Sequence, residues 1–157
     1  MRDQPAELAG AHGRVVHLLA AADPANPYGA ALAWPRRNEA DRRPLQRAAG
    51  AYVVLVDGAA ALYLERGGSS LQLLPAGDDP DTRAISLVAL RDLVADGRVR
   101  ELVIGKVDGE PVAASAVRDD LLAAGFVAGY RGYALRATPA TPSDRGYARP
   151  SAVRAIR

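Results

Sequence analysis

Two Val-Asp-Gly triplets, at residues 56–58 and 107–109, constrain the fold of this chain more than any other feature. Each follows a run rich in apolar residues, at 51–56 and 98–106. Both central residues of a type I′ hairpin turn need a positive φ, and Asp-Gly is one of the few pairs that adopts it readily. The sequence therefore predicts two tight chain reversals, each at the end of a β-strand.

The first reversal opens a predicted three-stranded antiparallel meander. Residues 59–65 resume the apolar pattern, a glycine-rich break follows at residues 66–69, and residues 70–74 form a third apolar run. Three strands with one face covered are enough for a stable sheet. We expect this meander to lie at the centre of the domain.

Helices are predicted on both sides of the meander. Residues 7–22 carry apolar side chains at intervals of three and four positions, which is typical of one face of a helix. Residues 79–95 repeat this spacing behind an Asp-Pro pair, which suits a helix N-terminus. A further helix is predicted over residues 115–125, which end in glycine, and a closing strand over residues 129–136.

These elements predict an α+β fold, either a small curled antiparallel sheet or a partly open β-barrel, with two or three flanking helices. We expect a helix at residues 1–23 and the barrel-like α+β domain at residues 24–136. Residues 137–157 consist mainly of Thr, Pro, Ser, Arg and Ala without periodicity, which is typical of a disordered basic tail.

Composition excludes several classes of protein and of site. The chain has 157 residues, which suits one domain, and no cysteine, which excludes disulfides, thiolate metal sites and cysteine nucleophiles. No apolar run approaches the roughly 18 residues of a membrane span, and the N-terminus lacks the layout of a signal peptide. We therefore expect a cytoplasmic protein without a membrane partner. His12 and His17 do not share a helical face, and we interpret them as surface or packing residues.

No motif for cofactor chemistry is present in the sequence. It contains no Gly-rich loop followed by Lys-Ser or Lys-Thr, no Gly-x-Ser-x-Gly elbow and no calcium-loop spacing. The glycine-rich segment at residues 66–70 leads into a strand, so it lacks the helix N-terminus that binds phosphate. We predict no cofactor and no metal. Glu65, at the end of a predicted strand, is the one carboxylate retained as a catalytic candidate.

Positive charge is concentrated at the two ends of the chain. Only Lys106 is lysine among the 20 Lys and Arg residues, an excess of arginine that a GC-rich genome largely explains. The net charge is +2 over residues 1–50, −5 over residues 51–127 and +5 over residues 128–157. Basic flanks around an acidic middle favour a polyanionic partner that contacts the flanks.

The segment Gly-Tyr-Arg-Gly-Tyr at residues 129–133 is the main candidate for binding such a partner. Two tyrosines and an arginine between flexible glycines can stack on bases and contact phosphates. Tyr28 and Trp34, in an irregular crossing between the first helix and the meander, allow two interpretations. They either pack the crossing onto the sheet or stack on a base.

Several stretches, taken together and in order, resemble the extreme C-terminal region of the large helicase-related (Lhr) family of bacterial DNA helicases. The resemblance covers residues 14–136. The matching stretches are DPANPYGAAL at 23–32, WP at 34–35, GAYVVLVDG at 50–58, LYLERGG at 62–68, DGEP at 108–111, LLAAGF at 121–126 and YRG at 130–132.

Members of that family carry an ATP-driven helicase core, winged-helix modules and a terminal β-barrel module that is similar to parts of the winged-helix alkyl-DNA glycosylases. The resemblance implies that residues 1–23 end a preceding winged-helix-type module, and that the chain is a nucleic-acid-binding or assembly module of a DNA repair helicase. The implied partners are DNA, single-stranded DNA in particular, the preceding helicase and winged-helix modules, and a second copy of the chain. The sequence has no ATPase motif, so no catalytic residue is carried over.

Eight residues are predicted to contact nucleic acid. Arg66, Tyr130, Arg131 and Arg136 form the main set, and Arg36, Arg37, Arg42 and Arg43 form a second set in an arginine-rich connection. Two alternatives remain open. The chain could be a DNA glycosylase-type fragment, with Glu65 as the group that handles water, or a purely structural oligomerisation domain.

Overall fold

The computed structural model describes residues 7–9, 13–37 and 44–137, with residues 7–9 described by their backbone. Within these ranges the chain forms ten β-strands and three α-helices. The strands are β1 (Glu7–Ala9), β2 (Val15–Ala20), β3 (Tyr52–Val56), β4 (Ala59–Leu64), β5 (Ser70–Leu73), β6 (Glu101–Ile104), β7 (Lys106–Val107), β8 (Glu110–Pro111), β9 (Val127–Gly129) and β10 (Gly132–Arg136). The helices are α1 (Pro80–Ala89), α2 (Arg91–Ala95) and α3 (Val117–Ala123).

The strands form two open sheets. One has seven strands in the order β1-β2-β3-β4-β5-β7-β8, and the other has three in the order β6-β10-β9. Neighbours pair antiparallel except for β5 and β7, which are parallel. The predicted α+β fold with an open sheet and flanking helices is confirmed. Each sheet has two edge strands, so neither closes into a barrel in the described part of the chain.

Both Asp-Gly pairs form the predicted reversals. Asp57 and Gly58 have φ values of 51° and 83° between β3 and β4, and Asp108 and Gly109 have 53° and 83° between β7 and β8. These positive values are the ones that a type I′ turn requires. The predicted meander is therefore present as β3-β4-β5. The strand predicted before the second turn is divided at Gly105, where the chain passes from β6 in one sheet to β7 in the other.

The helix predicted over residues 7–22 is wrong. This segment forms β1 and β2, and β2 pairs along its length with β3. Val16 and Leu18 belong to the core cluster that also contains helix residues, whereas Leu19 belongs to the cluster on the opposite face of the sheet. Because residues on both faces of β2 are buried, its apolar residues lie in pairs on either side of His17 and do not alternate with polar ones. Spacing alone cannot distinguish such a short run from one face of a helix.

The helix predicted over residues 79–95 is present in two pieces that meet at Leu90. Pro80 occupies the first position of α1, as predicted. The Asp79 carboxylate caps this helix and accepts hydrogen bonds from the Thr82 backbone N at 2.9 Å and the Thr82 hydroxyl at 2.7 Å. This cap satisfies one of the N–H groups that a helix N-terminus leaves without a partner. The third helix is α3, shorter than predicted.

The closing strand predicted over residues 129–136 is a hairpin in the structure. β9 ends at Gly129, Tyr130 and Arg131 form the turn, and β10 starts at Gly132. Gly132 has a φ of 143°, and a Cβ at this position would clash with the Ile104 carbonyl oxygen. Only glycine therefore fits where β10 starts to pair with β6.

The seven-stranded sheet is covered on both faces. The helices and the three-stranded sheet bury one face. On the other face, Tyr28, Trp34 and Leu45 pack against a second cluster that includes Leu55 and Tyr63. The irregular crossing between β2 and β3 is thus a third layer of the domain. Among the described residues, no helix has the length and apolar character needed to cross a membrane. The predicted tail beyond residue 137 lies outside the described residues.

Candidate nucleic-acid interface

The β9–β10 hairpin, called the closing hairpin from here on, carries three of the predicted DNA contacts. Tyr130 lies in its turn and is fully exposed, with a relative accessibility of 105%. Its ring therefore contributes no burial to the core. A Tyr ring that is fully exposed at a turn presents both of its faces to a ligand, and base stacking needs one such face.

Arg131 and Arg136 reach the same carboxylate. Arg131 Nη2 lies 3.5 Å from Glu101 Oε1, and Arg136 Nε donates a hydrogen bond to Glu101 Oε2. The two arginine side chains are 71% and 73% exposed, whereas the Glu101 side chain is 26% exposed. A partly buried acid on β6 thus holds two exposed guanidinium groups of the closing hairpin. Sequence reasoning missed Glu101, because its role follows from the pairing of β6 with β10.

The glycine-rich turn after β4 lies next to the closing hairpin. The Ser69 carbonyl oxygen accepts hydrogen bonds from Gly105 N at 2.9 Å and Lys106 N at 3.1 Å. The Arg131 carbonyl oxygen is 3.3 Å from the position that a Cβ on Gly105 would occupy. The backbone of three segments therefore meets at Gly105.

Exposed cations lie on all three of these segments. Arg66 and Lys106 are both exposed. We call the set formed by Arg66, Lys106, Tyr130, Arg131 and Arg136 the basic corner. Sequence reasoning identified all of these residues except Lys106, which lies next to the glycine-rich turn because β7 pairs in parallel with β5.

The second predicted set is placed differently. Arg37 forms ion pairs with Asp78 Oδ1 and Asp108 Oδ2, both at 2.8 Å, so its charge is compensated within the domain. Arg36 is exposed beside it. No hydrogen bond or ion pair joins Arg36 or Arg37 to the closing hairpin in the part of the chain that the structure describes. Arg42 and Arg43 lie outside the described residues.

The two Asp-Gly turns are braced in the same way. Asp57 accepts hydrogen bonds from Val15 N at 3.0 Å and Arg14 Nε at 2.9 Å. Asp108 accepts from Leu73 N and Arg37 Nη1, both at 2.8 Å. The backbone hydrogen bond from Val15 and, secondly, the hydrogen bond from Arg14 lower the pKa of Asp57. Each brace thus uses one arginine that the sequence alone cannot distinguish from a DNA contact.

Arg47 holds the irregular crossing together. Its guanidinium group donates to the carbonyl oxygens of Asn26 at 2.6 Å, Tyr28 at 2.9 Å and Asp23 at 3.0 Å. These carbonyl groups belong to a loop without regular secondary structure, so a side chain supplies the partners that a helix or a sheet would supply elsewhere. Arg47 is therefore a structural residue.

The structure settles the two interpretations of Tyr28 and Trp34 in favour of packing. Their rings stack with centroids 5.8 Å apart and an interplanar angle of 25°. Trp34 also contacts Tyr63 edge-on, with centroids 5.5 Å apart and planes at 80°. The Tyr28 hydroxyl donates to the Gly58 carbonyl oxygen at 2.9 Å. Both side chains hold the crossing against the sheet.

An open cleft of about 790 Å³ lies between α2 and the closing hairpin. Val94, Val127 and Leu135 contribute apolar surface, and Arg91 and Arg136 are the only titratable residues among its described lining. Glu65 lies elsewhere and accepts a hydrogen bond from Gln72 Nε2 at 2.7 Å. The described residues contain no group of three or more His, Cys, Asp or Glu side chains that could hold a metal ion.

Comparison with known proteins gives one informative match. The chain is 46% identical over 126 residues to a protein of Mycolicibacterium smegmatis (strain ATCC 700084 / mc(2)155) named Lhr helicase/probable uracil glycosylase. The chain is related to the Lhr family. The alignment covers 76% of this chain but only 8% of the Lhr protein, so it concerns a small part of that relative. No protein-family model matches the chain.

Proposed function

We propose that this chain is a C-terminal nucleic-acid-binding module of an Lhr-type DNA repair helicase, and that the basic corner binds single-stranded DNA. The observation that carries the proposal is the fully exposed Tyr130 at the tip of a hairpin whose arginines are also exposed. The helicase context comes from the sequence relation to an Lhr protein. The sequence has no P-loop, so in this proposal the motor belongs to other parts of the helicase.

Single-stranded DNA suits the basic corner better than a duplex does. An unpaired base offers a free π face, and stacking of one base on an aromatic side chain contributes about 1–3 kcal/mol. Inside a duplex both faces of each base are already stacked. Arg66, Lys106, Arg131 and Arg136 supply cations that can contact the phosphates on either side of the stacked base. Binding of this kind does not depend on the base sequence.

A DNA glycosylase fragment is the second candidate, since the name of the related protein includes a probable uracil glycosylase. Such an enzyme needs a pocket for a flipped base and a group that handles water. Among the described residues that line the open cleft, the titratable ones are arginines, and the Glu65 carboxylate is hydrogen-bonded to Gln72. The described residues therefore support DNA binding better than base excision. Incubation with uracil-containing oligonucleotides tests this preference for DNA binding over base excision. An abasic product whose formation Glu65→Gln abolishes would favour base excision instead.

The binding proposal is tested by fluorescence anisotropy with a labelled single-stranded oligonucleotide at several salt concentrations. Arg131→Gln should weaken binding and reduce the slope of log K against log salt by about 0.7 for each phosphate that the protein no longer neutralises. The matched control is Arg118→Gln, which removes the same charge from a side chain that is 52% exposed on α3. Equal effects of the two substitutions, or no salt-dependent binding by the unmodified protein, would contradict the proposal.

A further inference from the structure

The contacts of Glu101 carry an inference about what the closing hairpin binds. Arg131 and Arg136 approach the two oxygens of this one carboxylate from two positions on the hairpin. Their guanidinium groups therefore converge on a single small anion and do not point to separate places along an extended ligand.

Guanidinium groups recognise carboxylate and phosphate by the same chemistry. Each presents N–H donors in a planar fork, and each of these anions presents oxygen acceptors at matching distances. Two guanidinium groups that hold a carboxylate between them are therefore arranged to hold a phosphate in the same place. In the structure the Glu101 carboxylate occupies that place.

We propose that Arg131 and Arg136 form a clamp for one phosphate group, and that the phosphate displaces Glu101 when it binds. This inference rests on the proposed function and specifies its contacts. It assigns Glu101 a role that neither charge counting nor the sequence relation supplies. Glu101 orients both arginines before binding and competes with the phosphate for them.

The exposure of the groups makes this exchange feasible. Both arginines are more than two-thirds exposed, so water and salt already weaken their pairing with Glu101. The guanidinium groups can therefore leave Glu101, which is 26% exposed, at a modest cost, and they regain a charged partner on the phosphate. Removal of the carboxylate charge should therefore strengthen phosphate binding, whereas removal of an acid elsewhere should not.

The test compares Glu101→Gln with Asp81→Asn in binding of single-stranded DNA. Asp81 is exposed in the first turn of α1, so its substitution changes the net charge equally. Glu101→Gln should tighten binding by about two- to fivefold, in the range of one solvent-screened ion pair, and Asp81→Asn should leave it unchanged. If Glu101→Gln binds DNA no more tightly than the unmodified protein, the competition is overturned.

A second comparison shows whether the effect acts through the clamp. In a chain that already carries Arg131→Gln and Arg136→Gln, the Glu101→Gln substitution should no longer tighten binding. A gain that persists there would identify a general effect of charge and would overturn the clamp. The phosphate in the clamp is either a terminal 5′-phosphate or a phosphodiester of the DNA backbone. Oligonucleotides with and without a 5′-phosphate distinguish these two, because a terminal phosphate carries more negative charge than a phosphodiester.

A titration with inorganic phosphate distinguishes a failure of the clamp from a failure of the proposed function. The Nε–H signals of Arg131 and Arg136, followed by NMR during a phosphate titration, should shift together, and at lower phosphate concentration in Glu101→Gln. If they shift but the protein binds no DNA, the clamp stands and the proposed function fails. If both signals respond to DNA but neither responds to inorganic phosphate, the clamp fails and the wider proposal stands.

Discussion

The arginines of two regions of this domain differ in their contacts and in their exposure. Around the irregular crossing and the Asp-Gly turns, Arg14, Arg37 and Arg47 donate to acceptors of the chain itself. At the basic corner, Arg131 and Arg136 share one carboxylate and remain largely exposed. Composition treats these residues as equivalent, yet they differ in exposure: the side chains of Arg14 and Arg37 are 29% and 38% exposed, against 71% and 73% for Arg131 and Arg136. The location of an arginine's partner therefore says more about function than the number of arginines does.

The largest expected effect is on the crossing. Arg47→Met should lower the free energy of unfolding by about 2–4 kcal/mol, because three carbonyl oxygens lose a charged donor and remain partly shielded from water. Urea denaturation measures the change, and Arg66→Met at the basic corner is the control, expected within about 0.5 kcal/mol of the unmodified protein. If Arg66→Met destabilised the domain as much as Arg47→Met, the distinction between the two regions would be lost.

The next effect concerns the tip of the closing hairpin. Tyr130→Ala should weaken binding of single-stranded DNA by about 1–3 kcal/mol, the contribution expected from one stacked base, without a change in thermal stability. Tyr130→Phe keeps the π face and should bind almost as tightly as the unmodified protein. Anisotropy and a melting curve on the same samples check both points. A loss of binding in Tyr130→Phe equal to that in Tyr130→Ala would point to the hydroxyl group and not to stacking.

The smallest effect is a dependence of stability on acidic pH. The hydrogen bond from Val15, followed by that from Arg14, lowers the pKa of Asp57, and hydrogen bonds from Thr82 lower the pKa of Asp79. A carboxyl group with a lowered pKa in the folded state stabilises the fold above its unfolded value of 3.8. This contribution disappears as the pH falls through the folded-state value. Melting temperatures should therefore drop at acidic pH, and Asp57→Asn should reduce the drop.

Asp92 provides a contrast of opposite sign. Burial, with a smaller contribution from Asp96, raises its pKa in the folded state. Its ionisation therefore disfavours folding at neutral pH, and this penalty disappears as the pH falls. Asp92→Asn should stabilise the domain slightly at pH 7 and make the acid-induced drop steeper. A shallower drop in Asp92→Asn would show that the sign is wrong.

The stretches that carry the resemblance to the Lhr family fall in both of these regions. The stretches LYLERGG and YRG, which carry part of the resemblance, supply Arg66, Tyr130 and Arg131 of the basic corner. DPANPYGAAL forms part of the crossing that Arg47 and Trp34 hold in place. The stretches shared with the family therefore include both residues that hold the fold together and residues of the candidate binding surface. Only the contacts of each motif within the fold separate the two.

The sequence by itself determined the features that depend on neighbouring residues. Both Asp-Gly turns, the meander and the Asp79 cap follow from φ preferences and from hydrogen bonds over a few residues. The exposed tyrosine and arginines of the closing hairpin were also identifiable, because glycines and a Tyr-Arg pair form a recognisable segment.

The tertiary structure decided what depends on distant partners. Val15–Ala20 is a strand because β3 pairs with it and both of its faces are covered, and its own spacing contains neither fact. Likewise, Arg37 became a brace and Glu101 the partner of two arginines through residues far away in the sequence. Burial and ion pairing are properties of residues that the fold brings together, so no local pattern can specify them.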